Sequence, residues 1–292
     1  AGGHEEGRAL GGTTPRGAWE YVVADEPRRC FAGLLRGALS QRTHPGLWDT
    51  VFSGTPWEQP MQTWGPMPRK TAWMSAAPCT CKYGYGGMQI APIPFPEWMT
   101  DLMGVVMPLC HLVSREEWPN SCNLNLYENG GHSVSWHADN ERLFAGKFQD
   151  CPIISLSLGH ERRFELKALA PDEDGQKAFS KLLLRDGDLC TMEGLFQKYY
   201  EHRVPREDKE VGPRINITWR WVVEHLDGCV LRGSEGRIMP YGGGKGSPMG
   251  VKAAKGKGFG KGKGKGPGGK GTGKAQHGPG PGRAPHGKGG KQ

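Results

Sequence analysis

The chain has 292 residues, with 38 Lys and Arg against 30 Asp and Glu and a formal net charge of +8. No apolar run reaches the ~18–20 residues of a membrane-crossing helix, no signal peptide is visible, and the length suits one large domain or two small ones. The charge is divided unevenly: 14 basic residues and one acidic residue, Glu235, lie from Leu231 to Gln292, leaving 24 basic and 29 acidic residues before them. The body is therefore mildly acidic and the tail strongly basic, and a polyanion is the natural partner of such a tail.

Eight cysteines in a chain this long do not make a dense disulfide framework. Cys79-Thr80-Cys81 is a C-x-C pair with no second C-x-x-C or H-x-x-x-H to complete four ligands. The cysteines are read as reduced thiols of a nuclear or cytoplasmic protein, with a metal role for Cys79 and Cys81 as the weaker alternative. Because the sequence opens at Ala1, organelle targeting stays open.

In chain order, residues 1–17 are Gly-rich and polar and are expected to be disordered. From 18 to about 47, Phe31, Leu34, Leu35 and Leu39 recur at helical spacing, which predicts an amphipathic helix. Residues 53–98 are dense in Pro, Gly, Trp, Tyr and Met and predict an irregular, aromatic-rich region. A second helix is expected over 96–113, with Trp98, Leu102, Val105, Val106 and Leu109 on its apolar side. Short strands then follow one another at 123–127, 133–137, 153–158, 163–167, 182–184, 188–193 and 214–223. That density argues for an antiparallel barrel or jelly roll. Gly187 and Gly194 bracket one strand as turn residues. The expected organisation is an N-terminal helical and lid region at 18–113, a core at 114–230 and a disordered Gly/Lys-rich tail at 231–292.

The chemistry centres on Trp136-His137-Ala138-Asp139. A His and an Asp two apart on an extended segment share a face and can turn toward one metal. His202 offers a third ligand. Two histidines and a carboxylate with other positions open suit a non-haem Fe(II) oxygenase. In Arg214–Arg220 strand alternation puts Arg214, Asn216, Thr218 and Arg220 on one face and Ile215, Ile217 and Trp219 on the other. Two arginines facing a barrel interior need anions, and a dicarboxylate would satisfy them. The alternative is an exposed edge strand with solvated arginines. Asn125 and Tyr127 share a face in the same way and can hydrogen-bond a carboxylate.

Taken together, N-L-Y at 125–127, W-H-A-D-N-E at 136–141, P-I-I-S-L-S-L-G at 152–159, E-H-R-V-P at 201–205 and P-R-I-N-I-T-W-R at 213–220 resemble the AlkB family. These are Fe(II)- and 2-oxoglutarate-dependent dioxygenases that remove alkyl groups from nucleic-acid bases. The weaker stretches P-R-K-T-A-W at 68–73 and Y-G-Y-G-G at 83–87 extend the match upstream. The resemblance implies a mainly β, α+β fold: a double-stranded β-helix (jelly roll) core under an N-terminal nucleotide-recognition lid. It implies that His137, Asp139 and His202 hold iron and carry the catalysis. Arg214 would pair with the distal carboxylate of 2-oxoglutarate, with Asn125, Tyr127, Asn216, Thr218 and Arg220 completing that pocket. On the substrate side it implies Glu141 and Arg69, with Tyr85, or else Trp73, stacking on a flipped base. Asn140 stands where close relatives often carry Asp. The implied function is oxidative dealkylation of DNA or RNA by a monomer that needs no membrane, with succinate, CO2 and formaldehyde as products. The alternatives are the same chemistry on an RNA N6-methyl mark or a protein, and a nucleic-acid-binding protein without catalysis.

Overall fold

The computed structural model describes residues 19–63, 65–85 and 87–233, of which residue 85 is described by its backbone alone. The disorder expected at 1–17 and across nearly all of the tail lies outside the described residues.

The first element is a hairpin, β1 (Glu20–Asp25) and β2 (Cys30–Leu35), where the spacing predicts a helix over 18–47. Tyr21, Val22 and Val23 favour a pleated strand. Arg29 turns the chain with a φ of 53°. Every residue of β2 is buried, so its apolar positions form a short continuous run. Periodicity cannot separate such a run from a buried helical segment. A helix, α1, forms only at Leu47–Gly54.

The region expected to be irregular carries six strands: β3 (Met61–Gln62), β4 (Gly65–Pro66), β5 (Lys70–Ser75), β6 (Tyr83–Tyr85), β7 (Met88–Ile90) and β8 (Ile93–Pro94). Helix α2 (Glu97–Leu109) falls where the second helix is predicted, on a rotated face. It buries Met99, Leu102, Met103, Val106 and Met107, while Val105 stands in solvent. Three methionines supply most of that face, and their flexible side chains fill irregular gaps.

The remaining elements are β9 (Ser121–Tyr127), β10 (Val134–His137), β11 (Ile153–Gly159), β12 (Arg162–Ala168), β13 (Phe179–Leu184), β14 (Leu189–Gly194), α3 (Phe196–Tyr199), β15 (Tyr200–Val204) and β16 (Arg214–Arg220). Each predicted strand has its counterpart here, and β15, which carries His202, is additional. Gly194 ends β14 with a φ of 64°, and a Cβ there would sit 2.0 Å from the Arg29 carbonyl oxygen. Only glycine fits that close turn.

The strands build an eight-stranded sheet, β1-β2-β14-β11-β16-β9-β5-β8, and a four-stranded sheet, β10-β15-β12-β13, with two small hairpins, β3-β4 and β6-β7. This is the mainly β jelly roll. The break expected at 113/114 does not divide it, because β1, β2, β5 and β8 complete the same large sheet as the later strands. Two apolar layers follow from strand alternation. Ile215, Ile217 and Trp219 of β16 join Leu124, Leu126, Ile154 and Leu156 under the Met99–Met107 face of α2. A second cluster holds Ile153 and Met192 of the large sheet with Val134, Phe164 and Leu166 of the small one. Burying one such side chain stabilises by about 1.5–3 kcal/mol. The polar positions of β9, β11 and β16 alternate with the α2-facing ones and point to the other face of the sheet.

Candidate metal and cosubstrate site

β10 and β15 pair antiparallel with His137 directly opposite His202. Opposed residues on one face bring their side chains into contact, and the two imidazole centroids are 4.2 Å apart. Asp139 lies just beyond the end of β10, so it reaches the site from a loop and not from the strand face that alternation predicts. Its N–H donates to Gln197 Oε1 of α3 at 2.9 Å, which fixes that loop. Asp139 Oδ1 is 3.6 Å from His137 Nε2. The donor atoms of His137, Asp139 and His202 all lie within 4.8 Å of one another.

The electrostatics suit a cation. Burial lowers the pKa of His137, and burial together with neighbouring His137 takes His202 down to about 3. Burial alone would raise Asp139, but the Arg220 guanidinium beside it outweighs that and holds the carboxylate ionised. His137 Nδ1 is 2.8 Å from the Ser135 carbonyl oxygen, so that nitrogen donates and Nε2 keeps its lone pair. His202 Nδ1 is buried without a hydrogen-bond partner. Two neutral imidazoles and one carboxylate, converging from one side, are a donor set for a divalent ion with open positions.

A cavity opens beside these donors. The large sheet lines it with Asn123, Asn125, Tyr127, Ser155, Asn216, Thr218 and Arg220, and the small sheet with Phe164, His202 and Val204. Arg214 is fully buried behind this wall and is not part of it. Its Nη2 donates to Ser157 Oγ at 2.8 Å and to Asn216 Oδ1 at 2.7 Å, and Tyr127 lies against the guanidinium at 5.3 Å. Its Nε and Nη1 are buried with no partner. Burial lowers its pKa to about 10. Buried N–H donors without acceptors are costly, and a carboxylate matches the guanidinium fork. Arg220 differs: its Nη1 lies 3.2 Å from Asp139 Oδ2, an ion pair without an aligned hydrogen bond.

The substrate-side residues separate. Arg69 lines the cavity and donates from Nε to Asn125 Oδ1 at 2.7 Å. Glu141 accepts from Tyr83 Oη at 2.8 Å, while its Oε2 is buried without a partner. Burial, then Asp139, raises the Glu141 pKa to about 7. Trp73, the alternative stacking residue, is fully enclosed: its Nε1 donates to the Cys81 carbonyl, and its ring packs on Tyr83 at 4.9 Å. No base can reach it, because β5 is an interior strand with Tyr83 packed on the indole. Tyr85 belongs to β6, but its side chain lies outside the described part of the structure. Tyr83, two residues before it, reaches the cavity wall. Sequence reasoning passes over Tyr83 although it shares the Y-G-Y motif. It also passes over Gln197, which stands in a four-residue helix with no motif to mark it.

The model of the 2OG-Fe(II) oxygenase superfamily matches residues 31–220. "Alpha-ketoglutarate-dependent dioxygenase alkB homolog 3" of Mus musculus is 35% identical over 198 residues, 65% of this chain and 65% of the relative. The protein of the same name from Homo sapiens is 37% identical over 162 residues, 53% of this chain and 52% of the relative. "DNA oxidative demethylase ALKBH2" of Arabidopsis thaliana is 34% identical over 122 residues, 36% of this chain and 38% of the relative. This chain spans at most 65% of the length of these relatives. Fe(II) and 2-oxoglutarate are the superfamily's metal and cosubstrate, and the donor set and Arg214, with Nε and Nη1 unpartnered, fit both. The chain belongs to the 2OG-Fe(II) oxygenase superfamily and, within it, to the AlkB family.

Proposed function

We propose that this protein is an oxidative demethylase of N-alkylated bases in nucleic acid. The observation that carries the reading is the convergence of His137, Asp139 and His202 near a buried arginine, Arg214, that meets no carboxylate among the described residues. With both bound, Fe(II) and 2-oxoglutarate supply the oxidation by dioxygen of an N-methyl carbon, with loss of succinate, CO2 and formaldehyde. His137 and His202 would offer neutral nitrogens and Asp139 an ionised oxygen to the metal. Arg214, against Tyr127 and Asn216 behind the cavity wall, would hold the distal carboxylate of the cosubstrate, with Asn125, Tyr127, Asn216, Thr218 and Arg220 forming that wall.

A base within a duplex cannot reach a site between two sheets, so the substrate enters single-stranded or flipped. Glu141 would read the base edge. With a pKa of about 7 and one oxygen engaged by Tyr83, its carboxyl can accept or donate near neutral pH. The names of the relatives support a nucleic-acid substrate: alkB homologue and DNA oxidative demethylase. The basic tail adds sequence-independent affinity for phosphates that falls with salt. Formaldehyde release is the test, with 1-methyladenine, 3-methylcytosine and N6-methyladenine oligonucleotides set against methylated peptides. Release from the first two is expected. Release from peptides alone would replace nucleic acid as the substrate, and N6-methyladenine alone would shift the reading to an RNA mark.

A further inference from the structure

A second donor cluster lies away from the iron site. Cys79, Cys81, His225 and Cys229 place one donor atom each within 4.8 Å of one another. The first two stand on the loop between β5 and β6, and the last two follow β16. The sequence motif sought for a partner pair, C-x-x-C or H-x-x-x-H, does not catch it, because His225 and Cys229 are H-x-x-x-C.

The distances are those of a coordination shell. His225 Nδ1 is 3.6 Å from Cys79 Sγ, 3.5 Å from Cys81 Sγ and 3.5 Å from Cys229 Sγ. A tetrahedral ion with zinc–sulfur bonds of about 2.3 Å and zinc–nitrogen bonds of about 2.0–2.1 Å holds sulfur and nitrogen about 3.5–3.6 Å apart. Hydrogen bonding does not account for this arrangement. A neutral imidazole nitrogen has one lone pair and cannot accept from three thiols. All eight cysteines are free of disulfides.

Two of the three sulfurs also accept backbone N–H groups. The Thr80 N–H points at Cys229 Sγ from 3.4 Å, and the Leu226 N–H at Cys81 Sγ from 3.3 Å. Such outer contacts are the support that metal ligands receive. Both ligand-bearing segments are fixed independently. Ser75 Oγ donates to the Cys79 carbonyl and Trp73 Nε1 to the Cys81 carbonyl, each at 2.9 Å. Val222 N–H donates to Asn120 Oδ1, and Val223 N–H to the Leu143 carbonyl.

We propose that Cys79, Cys81, Cys229 and Nδ1 of His225 bind one Zn(II) ion as a closed structural site. Three soft thiolates and an imidazole in a tetrahedron select zinc over the Fe(II) that suits the nitrogen and carboxylate donors between the sheets. With four protein ligands the site has no open position and does no chemistry. Instead, the ion fastens the loop leading into β6, and so Tyr83 beside Glu141, to the segment that leaves β16 just after Arg220.

The test is metal content of the full chain, purified without added metal or chelator. One zinc per chain is expected. The His137→Ala/Asp139→Ala chain should keep that zinc and lose iron binding, whereas Cys81→Ser should lose zinc and keep its iron-site residues. His225→Cys should still bind. Should Cys81→Ser fold poorly, the His137→Ala/Asp139→Ala chain loaded with cobalt(II) gives a second reading. Intense tetrahedral ligand-field bands and a thiolate-to-cobalt charge-transfer band are expected, abolished by one equivalent of zinc. Several results would overturn the proposal: no zinc together with no cobalt–thiolate absorption, zinc that disappears with the iron-site residues, or a disulfide among Cys79, Cys81 and Cys229 in freshly purified protein.

Discussion

The two ends of β16 carry the same residue on the same face in opposite electrostatic circumstances. Arg214 and Arg220 are both fully buried. Arg220 lies against Asp139 and against the adjoining rings of Tyr83 and Phe144, 5.1 and 4.4 Å from its guanidinium. Burial would lower its pKa, but Asp139, Tyr83 and Glu141 more than reverse that. Arg214 has a hydroxyl, an amide and an aromatic ring around it, and burial prevails. One arginine is balanced from within the fold. The other faces no carboxylate among the described residues, although Nε and Nη1 lack a hydrogen-bond acceptor in both. The same contrast separates the donor clusters: the iron site is open to a cavity, and the zinc site is closed on itself.

The sharpest way to break this comparison is at Asp139. His137→Ala and Asp139→Ala should both reduce formaldehyde release to background, but only the second leaves Arg220 as an unpaired buried charge. Removing one partner of such a pair costs about 3–5 kcal/mol, so Asp139→Ala should unfold at clearly lower urea than His137→Ala. Equal midpoints would mean that Arg220 does not depend on Asp139. At the other end, Arg214→Met should weaken 2-oxoglutarate binding by about 30-fold or more, since removing one side of a buried charge-assisted pair costs roughly 2–5 kcal/mol. Its apo stability should hold or rise, because an uncompensated cation has been removed. A large drop in apo stability would show that Arg214 is already satisfied.

Smaller effects belong to the substrate side. Tyr83→Phe removes one hydrogen bond to Glu141, worth about 0.5–1.5 kcal/mol, and should lower kcat/KM for an oligonucleotide by roughly 2- to 10-fold. Its KM for 2-oxoglutarate should not move. Deleting residues 234–292 should leave kcat on a short oligonucleotide unchanged. It should flatten the salt dependence of binding by about 0.7–0.9 in logarithmic slope for each phosphate that the tail no longer neutralises. An unchanged slope would mean that the tail does not bind nucleic acid.

The parts of the fold legible in the sequence are those set by local alternation. Arg214–Arg220 divides into an apolar face under α2 and a polar face toward the small sheet because β16 is an interior strand with both faces covered. His137 and Asp139 stand out by spacing, although Asp139 reaches the site through a loop held by Gln197. What is not legible depends on partners distant in sequence. Phe31, Leu34 and Leu35 have helical spacing, yet they lie in a strand because β14 pairs with β2. Trp73 and Tyr83 are both aromatic residues of the lid. Which one meets the cavity is decided by the interior position of β5, which no local pattern announces. Cys79 and Cys81 are an incomplete motif until the pairing of β5, β9 and β16 brings the β5–β6 loop beside His225 and Cys229.

Arg214 as the anchor of the cosubstrate is the claim on which the rest depends most directly. The deciding measurement is an anaerobic titration of the Fe(II)-loaded full chain with 2-oxoglutarate, compared with the Arg214→Met chain. The expected result is one equivalent bound by the native protein and an affinity lower by about 30-fold or more in the variant. Equal affinity in the two chains would contradict it.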